Sequence, residues 1–180
     1  LWVREAGGSR FENFGRDRII NMPGWVYPGS MAVSADYIYL TDNNECLVMN
    51  SQNGKDFARF KAPAPSHPEN CWRYVAFQEG LLFGYANAPT PIPSKTPVAN
   101  AVLGGPSTIF ALDQKSGVSR WVRGGAGDEL GDNFDRPLAI GDKLIFLRAN
   151  KCLFALDTLT GKTVWKTDPL DDASTNTFWE

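Results

Sequence analysis

The sequence predicts an all-β fold assembled from repeated four-stranded antiparallel units, and three observations carry that expectation. First, Ile109-Phe110-Ala111-Leu112-Asp113-Gln114-Lys115-Ser116-Gly117-Val118-Ser119-Arg120-Trp121 aligns without a gap on Leu153-Phe154-Ala155-Leu156-Asp157-Thr158-Leu159-Thr160-Gly161-Lys162-Thr163-Val164-Trp165, so Gly161 follows Gly117 by 44 positions. Second, a further hairpin signal precedes the repeat: Pro137 to Ile140, a turn at Gly141-Asp142, then Lys143 to Leu147. Third, aromatic residues make up 12% of the chain, a bias toward pleated, half-buried surfaces. Two hairpins within about 40–50 residues, recurring, are the pattern of β-propeller blades. An ordinary sandwich would have to reproduce Ala, Leu, Asp, Gly and Trp in register by chance.

Applied along the chain, the pattern predicts three blades, near residues 30–61, 72–123 and 137–167. The first takes strands near 30–34, 37–41, 45–50 and 55–61. Its last hairpin, Leu47-Val48-Met49-Asn50-Ser51-Gln52-Asn53-Gly54-Lys55, is a degraded copy that keeps Gly-Lys but lacks the Ala-x-Asp core and the Trp. The second takes strands near 72–77, 81–86, 107–113 and 118–123, interrupted by a Pro-rich insertion at 87–106 that carries five prolines. Proline cannot donate to a strand ladder, so this segment reads as a solvated excursion or a contacting arm. The third takes strands near 137–140, 143–149, 152–157 and 162–167. In each copy the turn glycine supplies a left-handed backbone that other residues resist.

Three blades do not close a ring, and Trp2-Val3-Arg4 echoes Trp121-Val122-Arg123. The expectation is therefore a partial propeller belonging to a ring of seven or eight blades. Residues 168–180 read as a connector toward a further blade.

Eighteen Lys and Arg against twenty Asp and Glu give a formal charge of −2, without the basic excess that nucleic-acid binding requires. No apolar run reaches the roughly 20 residues of a membrane-spanning helix. Cys46, Cys71 and Cys152 form no CxxC or haem pattern. They read as small buried hydrophobes, with a Cys46–Cys71 disulfide as the alternative.

Ala111-x-Asp113-x-x-Ser116-Gly117-x-x-x-Trp121 and Ala155-x-Asp157-x-x-Thr160-Gly161-x-x-x-Trp165 resemble the tryptophan-docking motif of pyrroloquinoline-quinone-like repeat propellers. That family includes quinoprotein alcohol dehydrogenases and the propeller lipoprotein of the bacterial outer-membrane assembly machine. The resemblance implies that Ala111, Asp113, Gly117, Trp121, Ala155, Asp157, Gly161 and Trp165 are structural docking residues, with Trp121 and Trp165 both buried between blades. It implies a periplasmic or extracytoplasmic bacterial setting, and as partner either another protein or the remaining blades of the ring. The motif is structural throughout the family and carries no chemistry.

Catalytic signals are absent from the motifs. The dehydrogenases cap their quinone with a disulfide between adjacent cysteines, and no Cys-Cys pair occurs here. No cofactor is expected, and quinone with Ca²⁺ would require other blades to complete the site. The acidic connector Gly127 to Asp135 holds weak Ca²⁺ candidates in Asp128, Asp132 and Asp135, without EF-hand spacing. His67, the one histidine, lies in a Pro-flanked loop with no nucleophile elbow to serve. The aromatic segment Asn21 to Pro28 reads as an interblade connector or a ligand-stacking lip. The function these features predict is a non-catalytic scaffold or a protein- or ligand-binding propeller, with a fragment of a quinone-dependent dehydrogenase as the alternative.

Overall fold

The computed structural model describes residues 31–42, 44–63, 71–87, 106–132, 134 and 139–170. These form three four-stranded antiparallel sheets, with no helix among the described residues. Blade one consists of β1 (Met31–Val33), β2 (Tyr37–Asp42), β3 (Glu45–Asn50) and β4 (Asp56–Lys61), paired in chain order. Blade two consists of β5 (Cys71–Gln78), β6 (Leu81–Asn87), β7 (Ser107–Asp113) and β8 (Ser119–Arg123). Blade three consists of β9 (Ala139–Gly141), β10 (Leu144–Ala149), β11 (Cys152–Asp157) and β12 (Thr163–Lys166). Trp2, residues 21–28, His67, most of the Pro-rich insertion and residues 171–180 lie outside the described residues.

Local chemistry sets the turns. Two-residue hairpins that match strand twist need left-handed backbone at both central positions. Glu79-Gly80, Asp142-Lys143 and Asn150-Lys151 supply it, with φ of 49 and 82, 48 and 66, and 49 and 64°. The middle turn was expected at Gly141-Asp142. Instead Gly141 closes β9 opposite Leu144, and the left-handed pair moves one residue on. Asp tolerates that conformation through its short polar side chain; Lys143 adopts it at a cost.

The outer turn is the same in all three blades. The amide of Gly54 donates to the Asn50 carbonyl at 2.9 Å, Gly117 to Asp113 at 2.9 Å, and Gly161 to Asp157 at 2.8 Å, with glycine φ of 68, 69 and 68°. The leading side chain caps the turn: Asp113 accepts from the Lys115 and Ser116 amides, Asp157 from the Thr160 amide, and Asn50 from Gln52 and Asn53. An amide one residue after each cap donates to the neighbouring inner turn, Ser51 to Asp36, Gln114 to Gly80 and Thr158 to Lys143. Each outer pair also carries a register shift at the matching position, between Val48 and Met49, Ala111 and Leu112, and Ala155 and Leu156. Blade one thus has the blade-two turn built from different residues.

The core lies between sheets. Tyr39, Cys46, Val48 and Phe60 of blade one pack on Trp72, Leu82, Ala86, Phe110 and Leu112 of blade two. The opposite face of blade two, including Phe83, Tyr85, Ile109 and Trp121, packs on Ile145, Leu147, Phe154 and Leu156 of blade three. Strand β7 is buried along nearly its whole length because its alternating side chains serve both layers. Burying each large side chain contributes about 1.5–3 kcal/mol. Gly84 is required by this packing: a β-carbon there would lie 2.3 Å from Phe110 and 2.7 Å from Trp72, whose rings meet edge-to-face.

Candidate interblade docking site

In β7 and β8, Ala111 stands directly across from Trp121, and its small side chain leaves the indole free to lean toward blade three. There the indole covers Gly161, where an added β-carbon would fall 2.6 Å from the ring. The indole N–H donates to the Thr158 carbonyl at 2.9 Å, and Phe83 flanks the ring at 6.2 Å between centroids. Trp121 is 8% exposed. The joint therefore takes Ala111 and Trp121 from one copy of the motif and Asp157, Thr160 and Gly161 from the next. Asp caps the turn, Thr160 adds its hydroxyl to the Asp157 cap, and glycine both turns the chain and makes room.

The joint between blades one and two has the same plan with another aromatic. Phe60 lies over Gly117, where a β-carbon would meet its ring at 2.4 Å. The motif position of blade one, four residues after Gly54, holds Ala58 and not an aromatic, so the motif alone does not mark Phe60. By register Ala58 pairs with Val48 as Trp121 pairs with Ala111, and Phe60 sits one pleat further, on the same face of β4. The available signal was the period-2 alternation of a strand, which makes positions two apart interchangeable as anchors.

Trp165 departs from the expectation of burial. It stands opposite Ala155 and beside Phe146, as Trp121 stands opposite Ala111 and beside Phe83, yet it is 41% exposed. Among the described residues no turn lies over it in the way that the Asp157–Gly161 turn lies over Trp121. Leu159 and Val164 nearby are also exposed.

Polar groups reinforce the second joint. Arg123, at the end of β8, donates from Nε and Nη2 to both carboxylate oxygens of Asp128 at 2.7 and 2.9 Å, to Glu129 at 3.0 Å, and across the joint to the Gly161 carbonyl at 2.5 Å. Asp128 also accepts from the amides of Gly124 and Leu130. Burial pushes the Asp128 carboxyl up, but Arg123 and those amides outweigh it and hold it down at about 2. Hydrogen bonding to Asp128 raises the Arg123 guanidinium further above its ordinary value. Glu129 accepts the Thr163 hydroxyl and is held low by it and by Arg123. The connector is fixed from the other side by Tyr85, whose hydroxyl donates to the Phe134 carbonyl at 2.8 Å, and by the Ser107 amide on the Asp132 carbonyl at 2.6 Å.

At Asp128, one of the Ca²⁺ candidates, the two carboxylate oxygens hold four hydrogen bonds, two of them from the Arg123 guanidinium. Asp132 serves through its backbone carbonyl at this joint, and Asp135 lies outside the described residues. The amide of Ser116, then Arg120, lowers the Asp113 carboxyl; the Thr160 hydroxyl and amide lower that of Asp157. These carboxylates are turn caps. Cys46, Cys71 and Cys152 form no disulfide with one another, and burial pushes the Cys46 thiol up to about 12. Among the described residues no three His, Cys, Asp or Glu side chains gather in a way that could hold a metal ion.

No protein-family model and no curated protein matches the sequence. Among solved structures, the chain is similar to BamB from Moraxella catarrhalis, with 15% identity and a TM-score of 0.51 over 77% of this chain and 36% of that one. It is also similar to the quinohemoprotein alcohol dehydrogenase ADHIIG from Pseudomonas putida, with 14% identity and a TM-score of 0.48 over 75% and 20% of the two chains. A europium-containing methanol dehydrogenase gives 16% identity and a TM-score of 0.47 over 75% and 23%. The chain spans about a third of the length of the first of these and less of the other two. The likeness to BamB, together with the three stacked sheets, shows that the fold is that of β-propeller blades.

Proposed function

We propose that this chain is a non-catalytic segment of a β-propeller that acts as a scaffold or as a protein- or ligand-binding platform. One observation carries the reading: the charged and polar side chains around the best-formed joint are engaged with one another and with backbone. Arg123, Asp128 and Glu129 form the clasp at the second joint, while Asp113 and Asp157 cap turns. General acid–base or nucleophilic work needs a titratable group poised toward a reactant, not locked in a turn or an ion pair.

A quinone–metal centre, which the repeat's family would suggest, does not fit the described residues. It needs a carboxylate cage for the metal and a free carboxylate base. The acidic connector, the segment richest in carboxylates, is held by Arg123 instead. No helix among the described residues is long and apolar enough to cross a membrane. An extracytoplasmic setting belongs to this reading and is supported by the resemblance of the repeat alone.

The test is absorbance spectroscopy and metal analysis of the purified protein, before and after incubation with quinone and Ca²⁺. The reading expects no stoichiometric quinone and no dye-linked alcohol oxidation. Stoichiometric quinone uptake with oxidation of an alcohol would overturn it.

A further inference from the structure

The outer turns of the three blades share one plan and differ at the residue before the glycine. Blade two places Ser116 there and blade three Thr160, each with its hydroxyl on the capping Asp and its oxygen accepting from the amide two residues on. Blade one places Asn53 there, and Asn53-Gly54 is the one Asn-Gly pair in the sequence. The Asn53 side-chain oxygen accepts from the Lys55 amide at 2.9 Å. Asn50 caps the turn with its side chain, and its carbonyl receives the Gly54 amide at 2.9 Å. Asn53 is exposed, as are Ser116 and Thr160 in the two turns whose glycine lies beneath an aromatic ring of the preceding blade. A ring over Gly54 would therefore still leave Asn53 open to solvent.

We propose that Asn53 is a self-modification site, at which the Gly54 backbone nitrogen closes on the Asn53 carboxamide. The nitrogen attacks Cγ and passes its proton, through water, to the side-chain amide nitrogen, which leaves as ammonia. Water then adds to either carbonyl of the resulting succinimide and opens it to aspartate or to isoaspartate. Glycine is the follower that permits this, because no β-carbon shields its nitrogen. The Lys55 amide already donates to the oxygen on which negative charge develops as the nitrogen adds, where a fixed donor lowers the barrier. The bond from Gly54 to the Asn50 carbonyl acts the other way. It holds the attacking nitrogen in the turn, so the reaction waits for the turn to open locally. Isoaspartate lengthens the backbone between residues 53 and 54 by one carbon, so the closing bond cannot re-form with the same spacing. In the two turns of the same build, the glycine so placed is the surface on which an aromatic ring rests.

The test is peptide mass mapping of the whole chain during incubation at mildly alkaline pH, with and without guanidinium chloride, alongside two variants. Asn53→Ser installs the residue type of blade two and keeps the turn. Asn50→Ala removes the side-chain cap and leaves the Asn53-Gly54 pair in place. Far-UV circular dichroism checks that both variants keep the wild-type sheet signal. In the folded wild type the Asn53 peptide should gain the mass of an amide turned acid before any other asparagine does, with isoaspartate the larger product on fragmentation. Loss of the cap should speed that conversion roughly fivefold, the scale of losing one or two such hydrogen bonds. Denaturant should speed it further, and in Asn53→Ser the same peptide should keep its mass. Earlier conversion of another asparagine, no conversion in the folded chain, or a mass gain in Asn53→Ser overturns the proposal. A wild-type rate unchanged by denaturant, or by loss of the cap, also overturns it.

Discussion

Replacing Trp121 with Ala removes the ring that seals the joint between blades two and three. The indole is 8% exposed, lies over Gly161, and donates to the Thr158 carbonyl at 2.9 Å. Truncating a buried Trp costs about 3–5 kcal/mol through lost transfer energy and the cavity left behind. The joint cannot collapse readily, because the Arg123 clasp and the paired β7 and β8 hold its walls apart. A loss of about 4 kcal/mol is therefore expected, which corresponds to a fall in Tm of roughly 8–16 °C for a chain of this size. Trp165→Ala supplies the internal control. That side chain occupies the equivalent register position but is 41% exposed, so about 1–2 kcal/mol is expected from its smaller buried area. Thermal and urea unfolding of both variants measures the difference. Equal losses, or a Trp121→Ala loss below about 1.5 kcal/mol, would refute the assignment of Trp121 as the seal of the joint.

Other expectations follow from the same geometry. Gly84→Ala should destabilise by about 1–3 kcal/mol, because its β-carbon would lie 2.3 Å from Phe110; urea unfolding would contradict the packing if the midpoint did not move. Lys143→Gly, at φ 66°, should stabilise by about 0.5–1 kcal/mol, as relief of left-handed strain exceeds the added freedom of the unfolded chain; a lower Tm would refute it. Asp128 has a folded-state pKa depressed to about 2, below its unfolded value, so its contribution is present above about pH 4 and is lost as pH falls through about 2. Unfolding followed from pH 5 to pH 2 should show that acid loss in the wild type and a flatter profile in Asp128→Asn. An acid limb unchanged by the substitution would remove Asp128 from the clasp.

The sequence carried the blades because their determinants are local. Glycine at the outer turn, an Asp or Asn cap, and alternating apolar residues each act within a few positions, so the 44-residue repeat shows them directly. What remained hidden depends on neighbours across sheets. Phe60 serves as an anchor only because of its pairing register and the Gly117 turn of the following blade, neither of which is written near residue 60. Trp121 and Trp165 look identical in their motifs, and their burial differs because burial depends on the next blade. The acidic connector looked like a cation site because composition shows the carboxylates but not that Arg123 faces Asp128 and Glu129. The turn falls at Asp142-Lys143, one residue beyond the Gly141-Asp142 pair that composition suggests, because pairing with Leu144 keeps Gly141 in its strand.

Consecutive blades are joined by an aromatic ring over a turn glycine, and a double-mutant cycle between Trp121 and Gly161 tests that joint directly. In the wild type, Gly161→Ala introduces a β-carbon 2.6 Å from the indole at φ 68°, so overpacking adds to backbone strain. In the Trp121→Ala background the ring is gone and only the strain remains. Equilibrium unfolding of the four proteins should therefore give a coupling energy of about 2 kcal/mol, with the second substitution markedly milder once the first is made. Additive losses, within about 0.5 kcal/mol, would show that the two residues do not touch and would contradict the joint.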